Sequence, residues 1–153
     1  MTYRSRGHKG FTLAELVMVV ALVAVLSSMV LQVAKFTVKR RKEVELRLAL
    51  RQVRTAIDEY KRLSDQGMIT VKIGGEGYPE SLDELVEGVE IVGQETERRF
   101  LRRIPTDPMT RDDWELRSYQ DDMDATSWGG ENVYDIRTSS EGISIDWTKY
   151  AEW

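Results

Sequence analysis

The chain has no cysteine and only one histidine among its 153 residues. The absence of cysteine excludes disulfide scaffolds, thiol nucleophiles and zinc sites built on thiolate ligands. The single imidazole, His8, supports neither a histidine-based triad nor a multi-histidine metal site. The glycines of residues 74–77 lack the spacing and the lysine of a phosphate-binding loop. No motif selects a pair of carboxylates, so we expect no enzymatic activity.

Proline and glycine are missing from one long stretch of the chain. The sequence has 3 prolines and 11 glycines, and none of them lies between Phe11 and Gln66. Proline breaks a helix interior and glycine weakens it. This stretch therefore permits a single uninterrupted helix.

Charge is unevenly distributed along the chain. Up to Arg62 there are 13 Lys and Arg against 5 Asp and Glu, and beyond it 9 against 21. The formal net charge of -4 thus describes neither part. We expect a basic N-terminal part and an acidic head of about 90 residues, the size of a small domain.

The basic part contains a run of 19 uncharged residues, Leu16–Ala34, interrupted only by two serines and a glutamine. A membrane-spanning helix needs about 20 predominantly apolar residues, so we predict a span over about 13–34. A cleaved secretory signal has a shorter apolar region, and a buried core helix would need more surrounding chain. The basic cluster Lys39–Lys42 fits a membrane edge better than a nucleic-acid site, since no aromatic residues are interleaved with it.

Glu15 lies where the apolar run begins. A charged side chain near the membrane interior costs roughly 2.5–3.5 kcal/mol. The carboxylate therefore either reaches the cytoplasmic edge of the membrane or has a cationic partner.

The segment KGFTLAE, residues 9–15, followed by the apolar helix, resembles the class III signal of type IV pilins and type II secretion pseudopilins. The resemblance implies that a prepilin peptidase removes a leader, residues 1–10, by cutting between Gly10 and Phe11, and methylates the new N terminus. It also implies that Glu15 neutralises the ammonium of Phe11 on a neighbouring subunit. The chain would then be a single-pass protein of the bacterial inner membrane with its C-terminal head in the periplasm.

Apolar residues recur beyond the basic cluster at helical spacing. They form the stripe Leu46, Leu50, Val53, Ile57 and Tyr60, widened by Ala49, Ala56 and Leu63. This 3.6-residue period predicts that the helix continues, over residues 11–63, and covers a small head. A dimeric coiled coil is the alternative for the same stripe. The family often has a proline near Gln32 and a glycine near Ala24, so their absence predicts an unusually continuous helix.

The head, residues 64–153, has its own signals. A capping box at Ser81–Glu84 predicts a helix over about 80–87, and a second helical piece is expected from Glu95 to Arg103. Three strands are predicted: Trp114–Tyr119, Asn132–Thr138 and Ile143–Trp147. The predicted fold is α+β, with a long N-terminal helix, transmembrane in its first half, packed on a head with short helices and a three-stranded antiparallel sheet.

The head layout resembles the major pseudopilin of type II secretion, in which a Pro-x-Asp-Pro turn, here Pro105–Pro108, leads into a small sheet. Type IV pilins usually close a C-terminal loop with a disulfide, so the absence of cysteine favours a pseudopilin. Major pseudopilins bind calcium between their last two strands. The resemblance places a calcium loop at Glu141, Ser144 and Asp146, with Asp121, Asp122 or Asp124 as further ligands unless that acidic run is simply solvated.

The resemblance thus implies a structural subunit of a periplasmic pseudopilus of the type II secretion system, polymerising through its N-terminal helix. Its expected partners are further copies of itself, minor pseudopilins, the prepilin peptidase, the inner membrane, and the inner-membrane assembly platform with its ATPase; no nucleic acid is expected. One alternative is a type IV pilin-like subunit for adhesion, motility or DNA uptake. Another is a plain single-pass membrane protein with a small extracytoplasmic binding domain.

Overall fold

The computed structural model describes residues 10–72, 76–94, 96–122, 125 and 127–153, and within these it leaves the side chains of residues 29–31 undescribed. Nine of the ten predicted leader residues, 1–9, lie outside this description, as does Asp124. The chain divides into two units, Met1–Lys39 and Arg40–Trp153. Its elements are α1 (Leu13–Asp65), α2 (Leu82–Glu87), β1 (Val89–Glu90), β2 (Glu97–Arg98), β3 (Glu115–Arg117), β4 (Asp135–Arg137) and a short 3-10 helix (Tyr150–Glu152).

The helix α1 runs for 53 residues without a break, as the absence of proline and glycine predicts. It begins and ends two residues later than the predicted range. Gly67 ends it at a positive φ of 69°. Its N–H donates to the carbonyl of Ser64, and the N–H of Met68 donates to that of Leu63. This pair of bonds is the Schellman motif, which satisfies carbonyls that the helix itself leaves unpaired.

The C-terminal half of α1 supplies one side of the head's core. All eight residues of the predicted apolar stripe are buried, from Leu46 to Leu63. They pack with apolar residues of the head that include Leu85, Trp114 and Ile136. The stripe is therefore covered by the chain's own head, which removes the coiled-coil alternative for it.

The helix α2 forms where its capping box predicts. The Ser81 hydroxyl accepts a hydrogen bond from the Glu84 N–H, and the Glu84 carboxylate accepts one from the Glu80 N–H. Leu82 and Leu85 are buried against the core. Gly88 ends the helix with φ 101°, and a side chain at this position would crowd the Arg98 backbone.

The expected helix from Glu95 to Arg103 is wrong. Glu97–Arg98 instead forms a strand that pairs antiparallel with Val89–Glu90. The following residues are tied to α2, because the N–H groups of Phe100 and Leu101 both donate to the carbonyl of Leu85. These tertiary bonds replace the local bonds that a helix would have made.

The predicted three-stranded sheet is present only as a two-stranded one. β3 and β4 pair antiparallel with Leu116 opposite Ile136, and each strand is shorter than predicted. The third predicted strand, Ile143–Trp147, makes only an isolated bridge between Ile143 and Lys149. The α+β class is nevertheless confirmed: a long helix is followed by a head of short helices and small antiparallel sheets.

Candidate assembly and processing site

The predicted cleavage junction lies outside any helix or strand, immediately before α1. No described neighbour lies within 4 Å of the space that a side chain at Gly10 would occupy, and Phe11 is 79% exposed. A peptidase needs an accessible, unstructured bond. The bond between Gly10 and Phe11 is accessible, because both residues are exposed.

Glu15 lies in the first turn of α1, which Thr12 caps. The Glu15 N–H donates to the Thr12 hydroxyl at 3.2 Å. A carboxylate in the first turn also interacts favourably with the helix dipole. The carboxylate has no ion pair with any described residue. Its charge thus supports the helix start and is available to a cation supplied by another molecule.

Outside residues 29–31, the apolar half of α1 has its side chains exposed around the helix. The most apolar 18-residue window has a mean hydropathy of 2.6, and none of it is buried within the chain. Its serine hydroxyls are satisfied internally, since Ser27 donates to the carbonyl of Val23 and Ser28 to that of Val25. By length and composition this helix is able to span a membrane, which would cover its apolar surface.

In the predicted calcium loop, the Ser144 hydroxyl already makes its hydrogen bonds within the loop. Ser144 is buried, and its hydroxyl bonds to the Thr148 hydroxyl at 2.9 Å and accepts from the Asp146 and Thr148 N–H groups. Asp146 is exposed and pairs with Arg47 at 3.2 Å. Glu141 is exposed as well. Ser144 and Asp146 thus share one turn, and within the described residues no three acidic or histidine side chains are grouped as a metal site.

The acidic run proposed as a further source of ligands has other contacts. The Asp121 carboxylate accepts from the N–H groups of Ser118 and Gly129, closing its own loop. Asp122 is exposed, and its carbonyl accepts from Arg117. Calcium binding stays a prediction.

Two residues that the sequence reasoning did not single out hold the C-terminal segment against α1. Glu43 is only 6% exposed, and one of its oxygens accepts from the Ile145 N–H and from the Tyr150 hydroxyl, both at 2.8 Å. Burial, and then the hydrogen bond to Glu43, raise the pKa of Tyr150 to about 12. Glu43 lies three positions before Leu46, so the helical period places it on the same face of α1 as the apolar stripe.

Arg54 is the second of these residues. Its guanidinium makes a two-pronged contact with the Asp135 carboxylate, at 2.6 and 3.2 Å. It also donates to the main-chain oxygens of Trp153 and Ile136, at 2.5 and 3.1 Å. No local pattern identifies it, because every acceptor lies more than 80 positions away.

The Pro-x-Asp-Pro turn is anchored by a fully buried carboxylate. Asp107 accepts from the Met109 N–H at 2.7 Å and from the hydroxyls of Thr110 and Thr138. Trp114 donates its indole N–H to the carbonyl of Pro105 at 2.7 Å. These bonds fix the turn to β4's C-terminal extension and give it a structural role.

Comparison with known proteins identifies one family feature. Residues 5–31 match the family described as the prokaryotic N-terminal methylation motif. The match spans Gly10, Phe11 and Glu15. No curated protein and no solved structure matches the chain significantly. The motif supports a type IV pilin-like protein anchored in a membrane, and it implies cleavage by a prepilin peptidase and pilus-like polymerisation.

Proposed function

We propose that the chain is a structural subunit of a periplasmic pseudopilus of a type II secretion system. In this proposal it is stored in the bacterial inner membrane, cut after Gly10 and polymerised through α1. The observation that carries it is the methylation motif at residues 5–31, which overlaps the start of an unbroken helix whose most apolar 18-residue window is not buried within the chain. Such a surface is stable first in lipid and later against the helices of other subunits.

The head supports a pseudopilin in preference to a disulfide-closed pilin. The chain has no cysteine, and in its place polar anchors hold the C-terminal segment to α1, notably Glu43 and Arg54. The turn at Pro105–Pro108 also precedes the small β3–β4 sheet in the order that the resemblance implies.

Processing tests the pilin-like part of the proposal. Intact mass of the protein extracted from bacterial membranes should show the loss of residues 1–10 and the gain of one methyl group. A Gly10→Val variant should stay uncut, because a branched side chain crowds the scissile bond. Gly7→Val, a matched change three residues upstream, should be cut normally. An unprocessed wild-type chain would instead favour a plain single-pass membrane protein.

The role of Glu15 is tested by separating its charge from its place in the helix. Glu15→Gln removes the charge at nearly constant size, and we expect insertion and cleavage to continue while filament assembly is lost. Thr12→Ala removes the cap but keeps the carboxylate, so it should still assemble. If Glu15→Gln assembles like the wild type, the carboxylate has no part in assembly.

The secretion role itself needs a cellular readout. Deleting the gene in its own host should block the release of folded proteins through the outer membrane and leave surface pili unchanged. Loss of surface filaments, twitching or DNA uptake with normal secretion would identify a type IV pilin-like subunit instead.

A further inference from the structure

One face of the head carries a strongly basic groove. A groove of about 910 Å³ lies between the exposed side of α1 and the segment Arg98–Arg103. We name it the arginine groove after its five guanidinium groups: Arg51, Arg98, Arg99, Arg102 and Arg103. Within the described part of the chain one carboxylate, that of Glu59, lines it, and this carboxylate already pairs with Arg62 and Arg98.

Most of these arginines have no acidic partner in the described part of the chain. Arg51, Arg102 and Arg103 make no ion pair with a described residue, and Arg99 donates to the main-chain oxygen of Glu87. Like charges held close together repel one another. An anionic occupant would therefore stabilise the arginine groove.

The floor of the arginine groove is partly apolar. Leu48 is 58% exposed within it, and Phe100 also lines it. Arginine together with exposed apolar and aromatic groups is typical of a protein–protein contact. A polyanion such as a nucleic acid would instead gain from stacked aromatic platforms. The composition therefore favours an acidic protein surface.

The same head carries a surface of the opposite sign. A cleft of about 590 Å³ is lined by four glutamates, which define the carboxylate cleft: Glu76, Glu80, Glu84 and Glu131. Among the described residues that line it, the one cation is Lys72, which pairs with Glu80. Tyr60 and Tyr78 complete the wall, and the Lys61 ammonium already lies over the Tyr78 ring at 5.2 Å. Glu84 and Glu80 already have partners within the head, whereas Glu76 and Glu131 are exposed, and carboxylates of this kind pair with guanidinium groups.

The two surfaces face different directions. Thr55 lines the arginine groove and Tyr60 lines the carboxylate cleft. At roughly 100° per residue on an α-helix, five positions separate their directions by about 140°. Two complementary patches on different sides of one subunit make a head-to-tail contact. Such contacts build a ring if the rotation between subunits closes and an open filament if it does not.

We propose that the arginine groove of one head binds the carboxylate cleft of a second copy of this chain. The inference rests on the proposed function, because it supplies the head contact of a filament whose helices are joined through α1. Because the two surfaces carry opposite charges, the groove of one head faces the cleft of the next head and not another groove.

Cysteine pairs test the contact in the full-length chain. The chain has no cysteine of its own, so Arg102→Cys combined with Glu131→Cys introduces the only two thiols. In cells that process and assemble the protein, oxidation should give a ladder of dimers, trimers and longer products. Each single variant gives at most a dimer. The control pair Lys149→Cys with Glu131→Cys keeps the cleft thiol and moves the other to an exposed residue outside the groove, so it should give no ladder.

Charge reversal tests whether the attraction is electrostatic. Reversing Arg102 and Arg103 to glutamate should lower the assembled fraction about tenfold or more, since attraction becomes repulsion at both positions. Adding Glu76→Arg and Glu131→Arg to the same chain should restore it. Lys149→Glu, a single charge reversal at an exposed residue outside the groove, should leave assembly within about twofold, and Arg102→Glu alone is the matched comparison for it. Unchanged thermal unfolding of each variant establishes that the head still folds.

The experiments distinguish a failure of the proposed function from a failure of the head contact. A chain that is never cut at Gly10 overturns the proposed function. A chain that is cut and assembles only when Glu15 is present, but gives no Arg102–Glu131 ladder, overturns the head contact alone. Charge-reversed chains that assemble normally overturn it too.

Discussion

Glu43 offers the sharpest test of how the C-terminal segment is held to α1. Replacing it with alanine removes the acceptor for two hydrogen bonds, from the Ile145 N–H and the Tyr150 hydroxyl, both at 2.8 Å. A hydrogen bond to a charged group contributes about 1.5–3 kcal/mol, and the donors left behind would be at a part-buried and a buried site. We therefore expect Glu43→Ala to lower the free energy of unfolding by about 3–5 kcal/mol.

Denaturation of the full chain in detergent measures this loss, with tryptophan fluorescence as the signal because Trp114 is buried in the head. The matched control is Glu45→Ala. Glu45 lies two positions further along α1, and its one ion pair with a described residue is the exposed pair with Arg41, so its loss should cost less than about 0.5 kcal/mol. Glu43→Gln keeps an acceptor oxygen and should cost about 1–2 kcal/mol. If Glu43→Ala costs no more than Glu45→Ala, Glu43 does not hold the segment, and the reasoning is refuted.

Four further predictions concern the head. Arg54→Met should lower the free energy of unfolding by about 2–3 kcal/mol, since it removes the cationic partner of the part-buried Asp135 carboxylate and the donor to two main-chain oxygens. A change below about 0.5 kcal/mol, approximately that of an exposed pair, would contradict this. Leu85→Ala should cost about 3 kcal/mol by opening a cavity at a fully buried site, and an unchanged unfolding midpoint would argue against the observed core. Because the pKa of Tyr150 is about 12 in the folded chain and about 10 in the unfolded chain, its hydroxyl contributes stability below pH 10, and this contribution is lost as the pH rises through about 12. The wild-type chain should therefore lose more stability than Tyr150→Phe between these two pH values. Parallel curves of stability against pH would contradict the role of this hydroxyl. Calcium should raise the melting temperature relative to chelator if the 141–146 loop binds it, and Asp146→Asn should abolish the difference; a melting temperature indifferent to both ends the calcium prediction.

Local sequence signals predicted the features that depend on near neighbours. The period of the apolar stripe located all eight buried positions of α1 in the head, because side chains three and four apart share one helix face. The gap in proline and glycine predicted an unbroken helix, and the Ser81 capping box placed α2. The motif around Gly10 and Glu15 is also local, and the family match covers it.

The segment 95–103 was predicted wrongly for the opposite reason. Its charged pattern is compatible with a helix, but its backbone bonds go to partners distant in sequence. Arg98 pairs with Val89, and Phe100 and Leu101 donate to the carbonyl of Leu85. The third predicted strand was wrong for the same reason. A strand needs a neighbouring strand along its length, and residues 143–147 find a partner only at the single bridge between Ile143 and Lys149.

The sequence by itself determined the long helix, its apolar first half, its buried stripe and the processing motif. Only the tertiary structure decided how the C-terminal segment is held and which charges face outward together. Glu43 meets Tyr150 across 107 positions and Arg54 meets Asp135 across 81. The arginine groove likewise joins Arg51 to Arg102 from separate elements. Helical periodicity is a property of consecutive residues and can be read from them, whereas a contact between distant residues exists only once the head has packed against α1.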